Sequence, residues 1–297
     1  MIKIQVPATT ANIGSGFDSL GIALKMYNNV YIEEYDGIDI SSNDNVFIPI
    51  DSKNLVFASA KRIYELCGKD FKGLKIKQEN VIPMARGMGS SSACIVAGLV
   101  GANKILGNPL SKDELLNIAV KLEGHPDNVV AAILGGLTVS AIKEEKVYGV
   151  SIPISSRLCF ALLIPPFELK TSRARNVLKQ YYSREDAVFN ISRSALTIAS
   201  LFSAKFENLK VSVEDRIHQP YRLGLIDGAR DIFNIAYELG SYGTYISGAG
   251  PTIASIIDKK NAENFKENIL KEMENKNIKN WKLKVLDVDY NGARIIY

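Results

Sequence analysis

The chain has 297 residues, 46% of them apolar and 23% charged, enough to fill about two cored domains. Its formal net charge of +4 comes from Lys/Arg and Asp/Glu mixed along the chain, with no dense basic block. That argues against a nucleic-acid partner and suits an anionic small substrate.

"IKIQVPA" (2–8) alternates and predicts a strand. "PATTANIGSGFDSLGIAL" (7–24) follows it, rich in small polar residues, and read bare is a strand-to-helix loop with Asp18 near a helix start. "NVYIEEYDGIDISS" (29–42) predicts two strands around Asp36-Gly37. "NLVFASAKRIYELCG" (54–68) has helical spacing and stops at Gly68; "FKGLKIKQEN" (71–80) alternates again. "PMARGMGSSSA" (83–93) leads into "SSACIVAGLVGANKIL" (91–106), so apolar that the helix must be buried. "SKDELLNIAVKLEG" (111–124) opens with a Ser111/Glu114 capping box, carries Leu115, Ile118, Ala119 and Leu122 on one face, and ends at Gly124. "GGLTVSAI" (135–142) and "LCFALLIPP" (158–166) read as strands, and a domain boundary just before the latter divides the chain into 1–155 and 156–297.

The second half mixes helices at 186–204, 230–240 and 262–276 with strands at 244–248, 251–258 and 283–290, without repeat or low-complexity tract. The class is α+β in two domains. Three cysteines, Cys67, Cys94 and Cys159, lack metal-type spacing and fit a reducing compartment. "MIKIQVPATT" has no charged-then-apolar leader pattern, and no uninterrupted apolar run reaches the ~18 residues of a membrane span. A cytoplasmic protein without a membrane partner is expected.

The glycine loop has two readings. A helix N-terminus leaves backbone N–H groups unpaired and partially positive. Gly87 and Gly89 would let the main chain approach an anion, and Ser90, Ser91 and Ser92 add hydroxyls and amides. That makes a phosphate cradle without the lysine of the commoner nucleotide loop; a serine hydroxyl there could also hold Mg²⁺. The same residues equally make a glycine turn with serine caps. "LEGHPDNVVAAILGGL" (122–137) places Glu123 at a helix C-terminus, where the dipole disfavours a carboxylate and a cation would relieve it; a polar turn between helices is the plain alternative. "YISGAGPTI" (245–253) reads as a tight turn approached by another group.

Together these stretches resemble the homoserine kinase family, in the superfamily of galactokinase, mevalonate kinase and phosphomevalonate kinase. "PMARGMGSSSA" looks like the superfamily's Pro-x-x-x-Gly-x-Gly-Ser-Ser phosphate loop, and "SGAGPT" like its C-terminal glycine motif. "PATTANIGSGFDSLGIAL" and "EGHPDNV" point to homoserine kinase itself, and Met88 stands where leucine is commoner. The resemblance implies an N-terminal domain like domain 2 of ribosomal protein S5, a C-terminal ferredoxin-like domain, and an active site in the cleft between them. It implies transfer of the ATP γ-phosphate to the side-chain hydroxyl of L-homoserine, giving O-phospho-L-homoserine for threonine biosynthesis.

By resemblance, Pro83, Met84, Ala85, Arg86, Gly87, Met88, Gly89, Ser90, Ser91, Ser92 and Ala93 wrap the ATP phosphates, Asn54 lines the adenine pocket, where an Asn capping a helix fits equally well, and Ser91 with Glu123 holds Mg²⁺. An amino-acid substrate needs a carboxylate for its ammonium, which Asp18 fits, and a planar fork for its carboxylate. Among Arg173, Arg175, Arg216 and Arg222, the family patterns select Thr171 with Arg175, and Arg222. Asn12, His125 and Asn128 would position the hydroxyl. Asp127 is the nearest candidate base by motif, although no obligatory base is expected, since phosphoryl transfer asks little of one. A related mevalonate- or shikimate-type kinase lacks reason to pair Asp18 with two arginines, a non-catalytic nucleotide-binding regulator lacks reason to keep Glu123 and the loop serines, and a serine amidase lacks its Gly-x-Ser-x-Gly elbow. A homodimer remains open.

Overall fold

The computed structural model describes residues 1–44 and 46–297 and builds two sheets. The first contains β1 (Ile2–Ala11), β2 (Leu20–Glu34) and β3 (Gly37–Ser42), then, beyond α1 (Leu55–Leu66), β4 (Gly73–Glu79). After α2 (Ser90–Ile105), α3 (Lys112–Glu123) and α4 (Pro126–Leu134) it adds β5 (Leu137–Lys143) and β6 (Lys146–Ile152). The second sheet starts at β7 (Leu158–Ile164). Five helices follow: α5 (Thr171–Asn176), α6 (Arg184–Phe202), α7 (Leu209–Ser212), α8 (Gln219–Arg222) and α9 (Ala229–Glu238). The sheet is completed by β8 (Gly243–Ile246) and β9 (Ile253–Asp258), then α10 (Ala262–Asn275) and β10 (Lys282–Leu286). A short β11 (Arg294–Ile296) returns to pair with β1.

The first sheet runs β11-β1-β2-β4-β3, with β5 also on β2 and β6 on β5. The length of β2 allows this branching: Leu20–Ile22 pairs with β5, Asn29–Glu34 with β4. β3 and β4 are parallel, and α1 supplies the crossover that parallel strands require. The second sheet is antiparallel in the order β10-β7-β9-β8.

β7, "LCFALLI", is a continuous apolar run because both its faces are buried. Phe160 and Leu162 join a core shared with the first sheet, whereas Cys159, Ala161 and Leu163 face Ile232, Phe265 and Ile269 of α9 and α10. One core therefore runs through both halves and fixes the walls of the site between them.

Three sequence expectations are corrected. The stretch at 7–24 leads into no helix: Leu20–Leu24 continues directly as β2, paired on one side with β1 and on the other with β5, and its burial on both faces erases the alternation that marks a strand. Leu122 is 43% exposed, because α3 packs through Leu115, Leu116, Ala119 and Val120 instead. The strand expected over 283–290 ends at Leu286. No helix among the described residues is long and apolar enough to cross a membrane.

Candidate active site

The glycine loop crosses between the halves and delivers the N-terminus of α2 to a cleft of about 600 Å³, its open mouth included. Gly87 and Gly89 both sit at positive φ, 68° and 72°. A Cβ at Gly87 would run into the Ser247 carbonyl and one at Gly89 into Thr9 Oγ1, so only glycine fits. α2 has Gly89 as N-cap and no side-chain cap, which leaves its first N–H groups available to an anion. Arg86, the loop's one cation, is committed elsewhere. Its guanidinium donates to the carbonyls of Met84, Pro165 and Pro166 at 3.0, 3.1 and 2.9 Å, and pairs with Glu168 at 3.4 Å. The charge facing the cleft from this loop is thus backbone charge. The "SGAGPT" turn packs beneath, with Ser247 Oγ donating to the Gly87 carbonyl at 2.6 Å.

Glu123 ends α3 beside the first turn of α2. Ser91 Oγ donates to its Oε2 at 3.0 Å and Ser92 Oγ to its Oε1 at 2.8 Å. The serine and carboxylate singled out by sequence as metal ligands are therefore adjacent. Among the described residues no group of three or more His, Cys, Asp or Glu is placed to hold a metal alone. Mg²⁺ arriving with phosphates needs only one or two protein oxygens, a number that Ser91 and Glu123 could supply.

At the other end, Arg175 forks onto Asp18: Nη1 to Oδ2 at 3.0 Å and Nη2 to Oδ1 at 2.7 Å. Both side chains keep about a third of their surface exposed (35% and 33%), so the pair opens at small cost. Arg222 lies behind, 1% exposed, donating to the carbonyls of Ala174 and Gly248 at 3.2 and 3.0 Å. Burial, then the charge of Arg175, lowers its pKa to about 10, and it remains cationic at neutral pH. Thr171 opens α5 and lines the same wall.

Asn12, Asp127, Asn128 and His125 form the floor. Asn12 holds a left-handed φ of 69°; its Nδ2 donates to the Gly248 carbonyl at 2.8 Å and its Oδ1 accepts from Asp18 N at 3.0 Å, which ties the substrate-side loop to the glycine turn. Asn128 accepts from Thr9 Oγ1 at 2.7 Å and donates to Asp127 Oδ1 at 3.1 Å. His125 Nδ1 is buried, 4.0 Å from Asp127 Oδ1, and finds no hydrogen-bond partner among the described residues.

Asp127 is buried, and desolvation, reinforced by Asp18, raises its pKa to about 6. A carboxyl raised in the folded state is penalised where it must ionise: the penalty is absent below about 4, grows as pH rises, and is complete above about 6. Asp127→Asn should therefore raise the melting temperature by a few degrees at pH 7.5 and leave it unchanged near pH 3.5. Calorimetry at both pH values checks this, and an equal shift at both would contradict it.

Most sequence-selected residues meet here, but four do not line the cleft: Met84, Ser92 and Ala93 lie beside it, and Asn54 stands apart. Asn54, expected by resemblance on adenine and equally as a helix cap, caps α1, its side chain accepting from Val56 N and Phe57 N and donating to the Pro49 carbonyl and Gln78 Oε1. The sequence reading missed Thr9 and His218. His218 is buried, with Nε2 2.7 Å from the Gly14 carbonyl, to which it donates, and Nδ1 3.2 Å from Arg222 Nη1, from which it accepts. Burial lowers its pKa to about 4, which keeps it the neutral acceptor that Arg222 requires. Its signal was available: it precedes Arg222 by one helical turn.

Comparisons with known proteins agree with this geometry. Profiles of the GHMP kinase N-terminal and C-terminal domains match residues 54–136 and 198–275. Homoserine kinase of Petrotoga mobilis is 44% identical over 301 residues, covering 100% of this chain and 97% of that one. The chain belongs to the homoserine kinase family of GHMP kinases. Homoserine kinase of Clostridium beijerinckii is likewise 44% identical, covering 100% and 99%. The crystal structure of homoserine kinase from Cytophaga hutchinsonii superimposes with a TM-score of 0.89 at 29% identity over 99% of this chain and 97% of that one. Membership of this GHMP kinase family agrees with the mixed two-domain α/β architecture and with a chain whose glycine loop meets a charged pocket.

Proposed function

We propose that the chain is an ATP-dependent homoserine kinase, which phosphorylates the side-chain hydroxyl of L-homoserine. The observation that carries this reading is the fork of Arg175 on Asp18, with Arg222 behind it, in the same cleft as the α2 N-terminus. A zwitterion replaces that ion pair group for group: its ammonium takes Asp18, its carboxylate takes Arg175 and the field of Arg222. An alcohol without an ammonium would leave Asp18 unpaired.

The glycine loop from Pro83 to Ala93 would receive the phosphates on the free N–H groups of α2. Ser91 and Glu123 would hold Mg²⁺, which when bound offsets charge on the phosphate oxygens. Asn128, fixed by Thr9, would orient the hydroxyl, with the His125 side chain beside it in the floor of the cleft. Catalysis then rests on positioning and on oriented dipoles. Asn54 would shape the adenine pocket through its cap. The β10-β7-β9-β8 order, with helices between β7 and β8 and between β9 and β10, supports a ferredoxin-like second domain from 156 through β10; the branched first sheet over 1–155, joined by β11 from the C-terminal end of the chain, supports the S5-like one. The sparse cysteines support a cytoplasmic setting.

A coupled ADP-release assay against homoserine, serine, mevalonate and shikimate tests the reading. Homoserine should have the highest kcat/KM. Mevalonate or shikimate turning over as well would overturn it. In the same assay Asp127→Asn and His125→Gln, each shown to be folded, should cost less than ~10⁴-fold in kcat, the upper range of general-base catalysis. A larger loss in Asp127→Asn, with both substrate affinities preserved, would make Asp127 the base.

A further inference from the structure

Phe17, half-buried, directly precedes Asp18 in the loop between β1 and β2. Its ring is the common neighbour of the three groups at the substrate end of the cleft. The guanidinium carbons of Arg175 and Arg222 lie over it, 5.4 and 5.3 Å from its centroid. The His218 ring stacks on it at 5.2 Å, with 26° between the planes. An aromatic face carries negative charge and holds a cation within about 6 Å. One ring therefore gathers two like charges that would otherwise repel.

The two arginines differ in what else fixes them. Arg222 donates to the carbonyls of Ala174 and Gly248 and to His218 Nδ1, and none of these is a group that the substrate would claim. Arg175 donates, among the described residues, to Asp18 alone. A substrate ammonium that takes Asp18 removes both of those bonds just as the Arg175 fork must meet the carboxylate. The Phe17 ring is the contact that persists through this exchange. It is itself backed by a fixed group. His218 Nε2 donates to the Gly14 carbonyl at 2.7 Å, and Asp215 Oδ2 accepts from the His218 and Gln219 amides at 2.8 and 2.6 Å.

We propose that Phe17 is a positioning residue for the substrate carboxylate, its ring holding Arg175 beside Arg222 while Asp18 changes partner from Arg175 to the ammonium. This rests on the homoserine kinase reading and deepens it.

Incorporation of mono-, di- and trifluorophenylalanine at position 17 of the full chain tests the role. Fluorine withdraws negative charge from the ring face and changes its shape little. The KM for homoserine should rise with each added fluorine. In Phe17→Leu, which keeps apolar bulk without an aromatic face, it should rise by about 3–30-fold. The KM for ATP should stay at the parent value throughout. Stacking on His218 would not produce that trend, because an electron-poor ring stacks on imidazole at least as well. A homoserine KM that is flat across the fluorinated series, or that rises only in step with the KM for ATP, overturns the proposal and leaves the kinase reading intact. A parent protein that does not phosphorylate homoserine overturns the reading and the proposal with it.

Discussion

Arg175→Lys should raise the KM for homoserine by about 10–100-fold while leaving the KM for ATP unchanged. Lysine keeps the charge but not the fork. In the protein the two guanidinium nitrogens hold the two Asp18 oxygens at 3.0 and 2.7 Å, a planar geometry that a substrate carboxylate can match and an ammonium point charge cannot. Losing one charge-assisted hydrogen bond costs about 1.5–3 kcal/mol, which sets the range. ATP should be indifferent, because the loop that would receive its phosphates is built from Gly87, Gly89 and the α2 N-terminus, and its own arginine points to backbone carbonyls. Steady-state kinetics with each substrate varied in turn separates the two effects. A KM for homoserine equal to that of the parent would remove Arg175 from carboxylate binding.

Glu123→Gln should lower kcat by roughly 10–100-fold or more and move the Mg²⁺ titration to higher concentration. The carboxylate sits where a helix C-terminus disfavours it, yet Ser91 and Ser92 hold both its oxygens at 3.0 and 2.8 Å. The first turn of α2, with its two hydroxyls, offsets that penalty and holds the carboxylate beside the glycine loop, where on the proposed reading it would meet Mg²⁺. Glutamine preserves the shape and one acceptor but removes the charge. An unchanged Mg²⁺ dependence, measured with homoserine saturating, would return Glu123 to a purely local role of joining α3 to α2.

The glycine turn entering α2 was legible in the sequence because its geometry is local. Glycines at two near-adjacent positions, three serines and an apolar run describe a backbone turn entering a buried helix, and each of those properties belongs to neighbouring residues. The capping box of Ser111 and Glu114 was legible for the same reason, and its reciprocal bonds are present. The Arg86 side chain was not: nothing near residue 86 announces that the Pro165 and Pro166 carbonyls, almost eighty residues away, will take its guanidinium.

By itself the sequence determined the class of the fold and the glycine turn, since spacing and residue chemistry are carried by the chain locally; Asp18, Arg175 and Arg222 were singled out only through the family resemblance. Only the tertiary structure decided which charges meet. The family pattern had selected Arg175 and Arg222 from four arginines without saying what they touch; Arg216 pairs outward with Glu185 and Asp186, while Arg175 reaches Asp18 across 157 positions of chain. The strand hidden in residues 20–24, the adjacency of Glu123 to the loop serines, and the part of His218 in holding Arg222 belong to the same class. Each depends on packing that brings distant segments within hydrogen-bond distance, and burial then turns an ordinary polar side chain into one that must find a partner.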